Sequence, residues 1–331
     1  MEAAIGRVPG VRSGSLRKLL GSQIIGPLAA LVIAIIFFTT QSSVFLTGHN
    51  FSLILQQVMV VGTLAIGQTL VILTAGIDLS CSWIMALSSV LMTGLATRAG
   101  FDPLVAILAG VLVGMAFGVL NGWLVTAIRL PPFIVTLGVL SITSALVHLY
   151  TTETLNNLPP IMTVLGNTFN VGGTDITYGS VVMLLLYAVV WFVLRSTTAG
   201  RSVYAVGDNP EAARLAGINV NRVLLGVYAT AALFYSIAGL LLVARTQVGD
   251  PNAGGAATQD NLAAITAVVL GGTSLFGGRG LILGTLIGAL IVGIFRNGLQ
   301  LMGVESNTQT LVTGMLILLA VAVDTLSHRN R

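Results

Sequence analysis

The scarcity of charged residues is the feature that most constrains how this chain can fold. Aspartate, glutamate, lysine and arginine make up only 8% of its 331 residues, whereas 55% are hydrophobic. A soluble domain typically carries about 25% charged residues, which cover its water-facing surface. Because so few charges leave most of the surface to lipid, the sequence predicts an integral membrane protein.

Apolar segments recur along the chain, and a spanning helix needs about 20 mostly apolar residues. Ten segments approach that length, at about 22–40, 51–74, 80–97, 103–127, 133–150, 178–195, 223–244, 260–275, 281–300 and 308–326. The eighth is short and ends in glycine pairs, so it is either a complete span or a broken, re-entrant one. We expect an all-α, polytopic transmembrane bundle, in which 21–331 form one permease domain after an N-terminal segment, 1–20.

The distribution of basic residues predicts the orientation of these segments, because lysine and arginine accumulate in cytoplasmic loops. With the N-terminus inside, twelve of the fifteen basic residues lie on the cytoplasmic side. The three outside are Arg98, Arg245 and Arg296, of which the last two are expected to snorkel toward the outer interface. An even number of spans then places both termini in the cytoplasm.

A weak internal repeat accompanies this topology. The dipeptide Asn-Gly occurs at Asn121 and again at Asn297, 176 residues later, and Gly138 and Gly314 share that offset. Five spans separate the matching segments, so the two copies, spans 2–5 and 7–10, point in opposite directions. Inverted repeats are common in transporters, whose solute path lies at the repeat interface. The alternative is coincidence among frequent glycines.

The loop at 196–222 predicts a short capped helix on the cytoplasmic face. Asp208 or Asn209 suits the N-cap, and Pro210 suits the first helical position. Gly217 suits the C-cap. A helix with small residues on one side can enter a groove of a partner closely, and the alternative is a surface helix that only joins two spans.

Four segments of the chain resemble motifs of a known family, and they occur in the order found in that family. The pattern Gly-x-Asn-x-x-Ala-Ala-x-x-x-Gly-Ile-x-Val, which begins at Gly207, resembles the coupling loop of ribose-type permease subunits in ATP-binding-cassette importers. Gly-Ile-Asp-Leu-Ser at 76–80 and the segments 131–138 and 271–280 resemble further motifs of that family. The chain departs from the family at 81–83, where Cys-Ser-Trp replaces small residues, so a ribose label does not follow.

The resemblance implies a function and partners. It implies the permease subunit of an importer for a small polar solute, a monosaccharide, in the bacterial cytoplasmic (inner) membrane. It further implies a homodimer, a separate ABC ATPase subunit that binds the ATP, and a periplasmic or extracellular solute-binding protein. The residues implied in ATPase coupling are Gly207, Asn209, Pro210, Glu211, Ala212, Ala213 and Gly217.

Missing motifs exclude several other functions. Lys18 is the only lysine and no P-loop pattern surrounds it, so ATP must bind another chain. Cys81 is the only cysteine, which excludes an internal disulfide, and the three histidines lack metal-ligand spacing, so no metal site or cofactor is expected. No catalytic constellation and no basic patch for nucleic acid stands out, so we expect neither an enzyme nor a nucleic-acid-binding protein.

Polar residues within the apolar segments are candidates for the solute path. Asp78 either lines the path in a break between spans 2 and 3 or caps span 3 at the cytoplasmic interface, and the cap is favoured. Neutral amides suit a polyhydroxy solute, although hydrogen bonds between helices are the alternative for each. The candidate path residues are Gln68, Asp78, Asn121, Phe133 and Asn297.

Two alternatives to a monosaccharide permease remain open. A stand-alone secondary transporter is expected to carry ion-coupling residues within its spans, and the few acidic residues here are scattered across the chain. Permeases of the same superfamily for nucleosides or branched-chain amino acids are the other alternative.

Overall fold

A computed structural model describes residues 24–255 and 260–329, so the predicted N-terminal segment 1–20 lies outside it. Within these ranges all regular secondary structure is helical apart from one short hairpin, which confirms the all-α helical bundle. The helices are α1 (Ile25–Gln41), α2 (Gly48–Leu73), α3 (Cys81–Thr97), α4 (Pro103–Thr126), α5 (Pro132–Tyr150), α6 (Pro160–Thr163), α7 (Tyr178–Ser196), α8 (Thr198–Asp208), α9 (Pro210–Leu215), α10 (Val220–Thr246), α11 (Asp260–Leu270), α12 (Ile282–Leu301) and α13 (Ser306–Arg329).

Each of the ten predicted apolar segments coincides with a helix, namely α1–α5, α7 and α10–α13. Six of the described helices are long and apolar enough to cross a membrane: α2, α4, α5, α7, α10 and α12. Helices α1, α3 and α11 are apolar but shorter, with 17, 17 and 11 residues. The chain is therefore a multi-pass membrane protein.

The eighth predicted segment, 260–275, is shorter in the structure than in the prediction. Helix α11 ends at Leu270, and Gly272 follows with a φ of +83°, in the left-handed region that glycine adopts readily. The Thr273 N–H donates to the Val268 carbonyl at 3.2 Å, which closes the helix end. Eleven residues rise only about 16 Å, so the described part of α11 is half-length, and of the two alternatives the broken segment is the one that fits.

Two long helices, α2 and α10, pack against each other at the centre of the bundle. Helices α3 and α4 pack on α10, and α11 and α12 pack on α2. The outer helices complete the bundle, with α5 on α3, α13 on α11, α1 on α12 and α7 on α2. Buried aromatic side chains from α7 and α10, including Tyr187 and Tyr235, fill the core.

Glycines allow the closest helix contacts. On α4, Gly110, Gly114 and Gly118 are all buried, and a Cβ on Gly118 would lie 2.5 Å from the Tyr228 carbonyl oxygen of α10. On α12, a Cβ on Gly288 would overlap the Ala267 carbonyl oxygen of α11. Small residues permit such close approach in membranes, where helices associate by packing rather than by the hydrophobic effect.

A hairpin marks one end of the bundle. Strands β1 (Thr168–Val171) and β2 (Thr174–Thr177) pair antiparallel, and both glycines of the two-residue turn between them have positive φ, as a type I′ turn requires. The hairpin contacts the first turn of α2, and the C-terminus of α10 lies nearby. We call this the hairpin end, and the opposite end, which carries α8 and α9, the α9 end. The sequence predicted only a loop at 151–177.

The contact at Gly288 predicts a stability effect. Gly288→Ala is expected to destabilise the folded bundle by about 1–3 kcal/mol, because the added methyl group overlaps a backbone oxygen that cannot rotate away. Unfolding in detergent, followed by circular dichroism, measures the effect. The matched control is Gly138→Ala on α5, where nothing lies within 4 Å of the new methyl group. Equal stability of the two variants would contradict the packing described.

Candidate translocation and coupling sites

A buried break separates α2 from α3. Helix α2 ends at Leu73 and α3 begins at Cys81, so seven residues, 74–80, join them without helical hydrogen bonds. Within this break Asp78 is only 1% exposed and Ser80 is fully buried. Non-helical backbone at membrane depth is tolerated only where other groups of the protein satisfy its polar atoms.

Three helices satisfy that requirement. Three successive carbonyl oxygens of the break each accept a hydrogen bond from a side chain of a different helix, α5, α2 or α11. These bonds run from Thr136 Oγ1 to the Ile77 oxygen (3.1 Å), from Gln68 Nε2 to the Asp78 oxygen and from Asn261 Nδ2 to the Leu79 oxygen (2.8 Å). The conformation of the break therefore depends on helices that are distant in sequence.

The Asp78 carboxylate lies inside this network. Its Oδ1 accepts hydrogen bonds from the Ser80 backbone N–H at 2.8 Å and from Ser80 Oγ at 2.5 Å. Asn121 on α4 donates from Nδ2 to the same Ser80 Oγ at 3.0 Å. The favoured cap interpretation of Asp78 is wrong, because α3 begins at Cys81, directly after Ser80, and Asp78 is buried rather than at an interface.

Several polar atoms around Asp78 lack partners. Gln68 Oε1, Asn121 Oδ1 and the Tyr228 hydroxyl are buried without a hydrogen bond among the described residues, whereas the Tyr235 hydroxyl lies within reach of the Asp78 carboxyl group. Leaving such a group unsatisfied costs about 1–3 kcal/mol, which favours a second arrangement in which these atoms gain partners. We call these residues the central cluster: Gln68, Asp78, Ser80, Asn121, Tyr228 and Tyr235.

A second break separates α10 from α11, and the structure describes its residues 247–255. It contacts the start of α3, directly after the first break. Ser82 Oγ donates to the Gly254 carbonyl at 3.1 Å, and the Trp83 ring lies 2.6 Å from where a Cβ on Gly254 would sit. The thiol of Cys81 donates to Asn261 Oδ1 at 3.1 Å. Positions 81–83, where the chain departs from the family pattern, therefore form the contact between the two breaks.

The five predicted path residues do not all come together. The central cluster contains Gln68, Asp78 and Asn121. Asn297 lies apart on α12, where it donates from Nδ2 to Asn50 Oδ1 at 2.9 Å. Phe133 is 51% exposed near the start of α5. The path assignment of these residues stays a prediction.

An ion pair that sequence reasoning missed joins α11 and α12. Asp260 Oδ1 lies 3.1 Å from Arg296 Nη1, and the Asp260 side chain is only 6% exposed. Arg296 is itself 40% exposed, so its reach toward the outer interface stays a prediction, and the contact it makes here is with a buried carboxylate. Thirty-six residues separate the partners, and no spacing rule for a single helix pairs them.

The predicted cytoplasmic helix is present as α9. Asn209 caps it by accepting the Ala212 N–H at Oδ1 over 3.0 Å, and Pro210 is its first residue. Glu211 forms an exposed ion pair with Arg214 at 3.1 Å. Gly217, with a φ of +84°, ends it as predicted.

One face of α9 is available to a partner. Ala213 is buried against the bundle, but Leu215 is 90% exposed and presents an apolar side chain to the surroundings. The preceding helix, α8, was not predicted, although the hydroxyl of Thr197 caps it by accepting the Gly200 N–H at 3.2 Å. The docking role of this helix stays a prediction.

Gly207 plays a different part from the other coupling residues. It is buried, and a Cβ there would overlap the Leu73 carbonyl oxygen at the end of α2 and lie 2.7 Å from the Gly278 nitrogen. The Gly278 N–H itself donates to the Leu73 oxygen at 2.9 Å. The end of α8, the end of α2 and the segment after α11 therefore meet at one junction, which leads directly into the break at 74–80.

Comparison with known proteins assigns the chain to a family. A family model described as the branched-chain amino acid transport system / permease component matches residues 50–321. The chain belongs to this family. No solved structure matches it significantly.

Curated members of this permease family include sugar import permeases. The chain is 47% identical to the fructose import permease protein FrcC of Rhizobium meliloti, over 90% of this chain and 84% of that protein. It is 41% identical to the ribose import permease protein RbsC of Bacillus subtilis, with 91% and 92% covered. It is 30% identical to the xylose transport system permease protein XylH of Escherichia coli, with 95% and 94% covered. These relatives confirm the resemblance to sugar permeases.

The central cluster of this permease gives a stability prediction. Ser80→Ala removes the hydroxyl that joins Asp78 to Asn121, so Asn121 loses its amide partner while its oxygen already lacks one. We expect the free energy of unfolding in detergent to fall by about 1–3 kcal/mol. Ser141→Ala is the control, because Ser141 is exposed on α5 and bonds only within its own helix. An unchanged stability for Ser80→Ala would contradict the network.

Proposed function

We propose that this chain is the membrane-spanning permease subunit of an ATP-driven importer for a monosaccharide. The observation that carries the proposal is the similarity, over about nine tenths of the chain, to proteins named as fructose and ribose import permeases. The family description mentions branched-chain amino acids, which makes those solutes the second candidate. A zwitterionic solute requires a partner for each charge, whereas the central cluster offers one carboxylate surrounded by neutral amides and hydroxyls.

The proposed topology has ten spans, with the α9 end and both termini in the cytoplasm. Basic residues support it, because lysine and arginine favour that side. Arginines near the α9 end are Arg129, Arg195, Arg201, Arg214, Arg222 and Arg279. Near the hairpin end, Arg98 pairs with Glu153 at 3.1 Å, and Arg296 pairs with Asp260.

The proposed inverted repeat relates α2–α5 to α10–α13. Corresponding pairs of helices pack alike, with α4 on α10 and α12 on α2, α3 on α4 and α11 on α12, and α5 on α3 and α13 on α11. Helix α2 begins at the hairpin end, whereas α10 ends there, so the two copies run in opposite directions. The two breaks that meet near Ser82 and Gly254 lie at corresponding positions.

The partners in this proposal follow from what the chain lacks and exposes. Because it has no P-loop, ATP binds a separate ATPase subunit, and this chain itself carries no cofactor. Two copies of the permease form a homodimer around the path, and a solute-binding protein delivers the sugar at the hairpin end. The capped α9 and its exposed Leu215 form the docking element for the ATPase.

The contacts at Gly207 supply a route from the ATPase to the path. Movement of α8 and α9 acts on the end of α2 and on Gly278, because the backbone at Gly207 touches both without an intervening side chain. Gly277 also lies against Ala75, the second residue of the break. A shift there is passed within three residues to Asp78, whose neighbours hold unsatisfied polar atoms. These atoms gain partners when the cluster rearranges, which favours alternating access at this point.

Reconstitution tests the function. The permease is expected to co-purify with an ATPase subunit and, with that subunit and the solute-binding protein in proteoliposomes, to take up labelled fructose, ribose or xylose only with ATP. Leucine under the same conditions is the control for the second candidate. Leucine uptake without sugar uptake would favour that candidate. Gradient-driven uptake by the permease alone would overturn the proposal in favour of a secondary transporter.

Coupling through α9 gives a second functional prediction. Gly217→Val forces a β-branched residue into a left-handed conformation and is expected to lower uptake per ATP hydrolysed at least about tenfold, while assembly into the membrane persists. Gly100→Val is the matched control, because Gly100 has a φ of +69°, open space around it and a position at the hairpin end. Uptake and hydrolysis measured in the same proteoliposomes give the ratio. Equal ratios for the two variants would remove α9 from the coupling route.

A further inference from the structure

A cavity of about 530 Å³ opens at the α9 end, between Ile24 at the start of α1, α7, α8 and the start of α12. Its lining combines basic, aromatic and aliphatic side chains. The residues that matter for its chemistry are Trp191, Leu194, Arg195, Arg279, Leu281 and Ile282.

Two cationic side chains lie at this cavity without acidic partners. Arg195 and Arg279 are both exposed, and neither takes part in an ion pair among residues 24–255 and 260–329. The acid beside the cavity is Asp208, whose backbone and Cβ lie next to Gly278. It forms no ion pair with either arginine. Two guanidinium groups at this cavity therefore have no ion-pair partner among the described residues, and Asp208 is the acid nearby.

An aromatic ring holds one of these charges in place. The Arg195 guanidinium lies 5.2 Å from the centre of the Trp191 ring, in cation–π contact. Tryptophan is typical of the boundary between the hydrocarbon core and the lipid headgroups, and an arginine near a helix end extends its charged group to the same boundary. The pair therefore positions a cation at headgroup depth.

The rest of the cavity is apolar. Leu194 and Ile282 are buried at its floor, and Leu281 and Leu283 are more than one third exposed along its side. Tyr204 belongs to the wall, where its hydroxyl donates to the Gly280 carbonyl at 2.9 Å. A ligand that fills this cavity must carry an anionic group at one end and an aliphatic chain at the other.

We propose that this cavity binds an anionic phospholipid of the cytoplasmic leaflet, with its phosphate between Arg195 and Arg279 and an acyl chain along Leu281 and Leu283. The leaflet rests on the proposed orientation of the α9 end. Basic pockets between membrane helices on the cytoplasmic side are suited to anionic headgroups. The chain's own residues 1–23 are a poor occupant, because they carry four basic residues and one acid.

The position of the cavity gives the lipid a structural consequence. Gly278 and Gly280 line it, and Gly278 belongs to the junction with Gly207 and Leu73. A bound lipid bridges α7 to the segment that precedes α12, and so it stabilises the arrangement on which coupling depends.

Thermal unfolding of the delipidated permease complex tests the proposal. Phosphatidylglycerol is expected to raise the unfolding temperature saturably, whereas phosphatidylcholine with the same acyl chains and inorganic phosphate are not. Arg195→Gln and Arg279→Gln are each expected to weaken the apparent affinity for phosphatidylglycerol about fivefold. Arg195→Lys and Arg279→Lys keep the charge and most of the binding. Arg129→Gln is the control, since Arg129 is exposed at the same end but lines neither this cavity nor its rim.

Four outcomes would overturn the lipid site. An unchanged phosphatidylglycerol response in the variant with both arginines replaced by glutamine would show that the arginines do not bind the headgroup. An equal response to phosphatidylcholine would show that the lipid need not be anionic. Protection by phosphate alone would indicate a simple anion site. Binding that occurs only when the ATPase subunit is removed would assign the cavity to that subunit. Because lipid binding is read without uptake, its failure is distinguishable from failure of the proposed function.

Discussion

The structure depends on satisfying backbone polar groups where the chain stops being helical inside the bundle. A peptide group left without a partner in hydrocarbon costs several kcal/mol, so the break at 74–80 exists only because side chains reach its carbonyls. Those side chains come from α2, α5 and α11, and each supplies one donor. The break therefore joins α2, α5 and α11 through hydrogen bonds, in addition to separating α2 from α3. Its geometry depends on the positions of all three helices.

This constraint explains what could and could not be predicted from the sequence. The positions of the ten helices and the cap and stop of α9 depend on neighbouring residues, so local patterns revealed them. The hydrogen-bond partners of the break do not depend on neighbouring residues. Asn261 lies 182 residues from Leu79, and an isolated asparagine has no distinctive sequence pattern. The cap interpretation of Asp78 failed for the same reason. A carboxylate before a helix predicts a cap locally, but the burial of this one is set by helices that only the fold brings near.

The errors at the second break have the same origin. The eighth segment was extended to residue 275 to approach the length of a span, whereas the helix stops at Leu270, just before Gly272 turns left-handed. The ion pair of Arg296 was missed because its acidic partner, Asp260, is on another helix. Burying the carboxylate of that pair is favourable only with the guanidinium beside it. The ion pair thus fixes the start of the half-length α11 against α12.

The two breaks together suggest how the same packing serves stability and movement. In the proposed coupling route, the junction of Gly207, Leu73 and Gly278 is stiff because its backbones touch without intervening side chains, so it would pass on a displacement of α8. The central cluster, a few residues further on, is less tightly held in that route, because several of its buried polar atoms have no hydrogen bond to break when it rearranges. A rigid junction next to a polar cluster that can form alternative hydrogen bonds is suited to an element with two stable conformations. Filling the glycine junction or completing the hydrogen bonds of the cluster would each favour one state, and transport needs both.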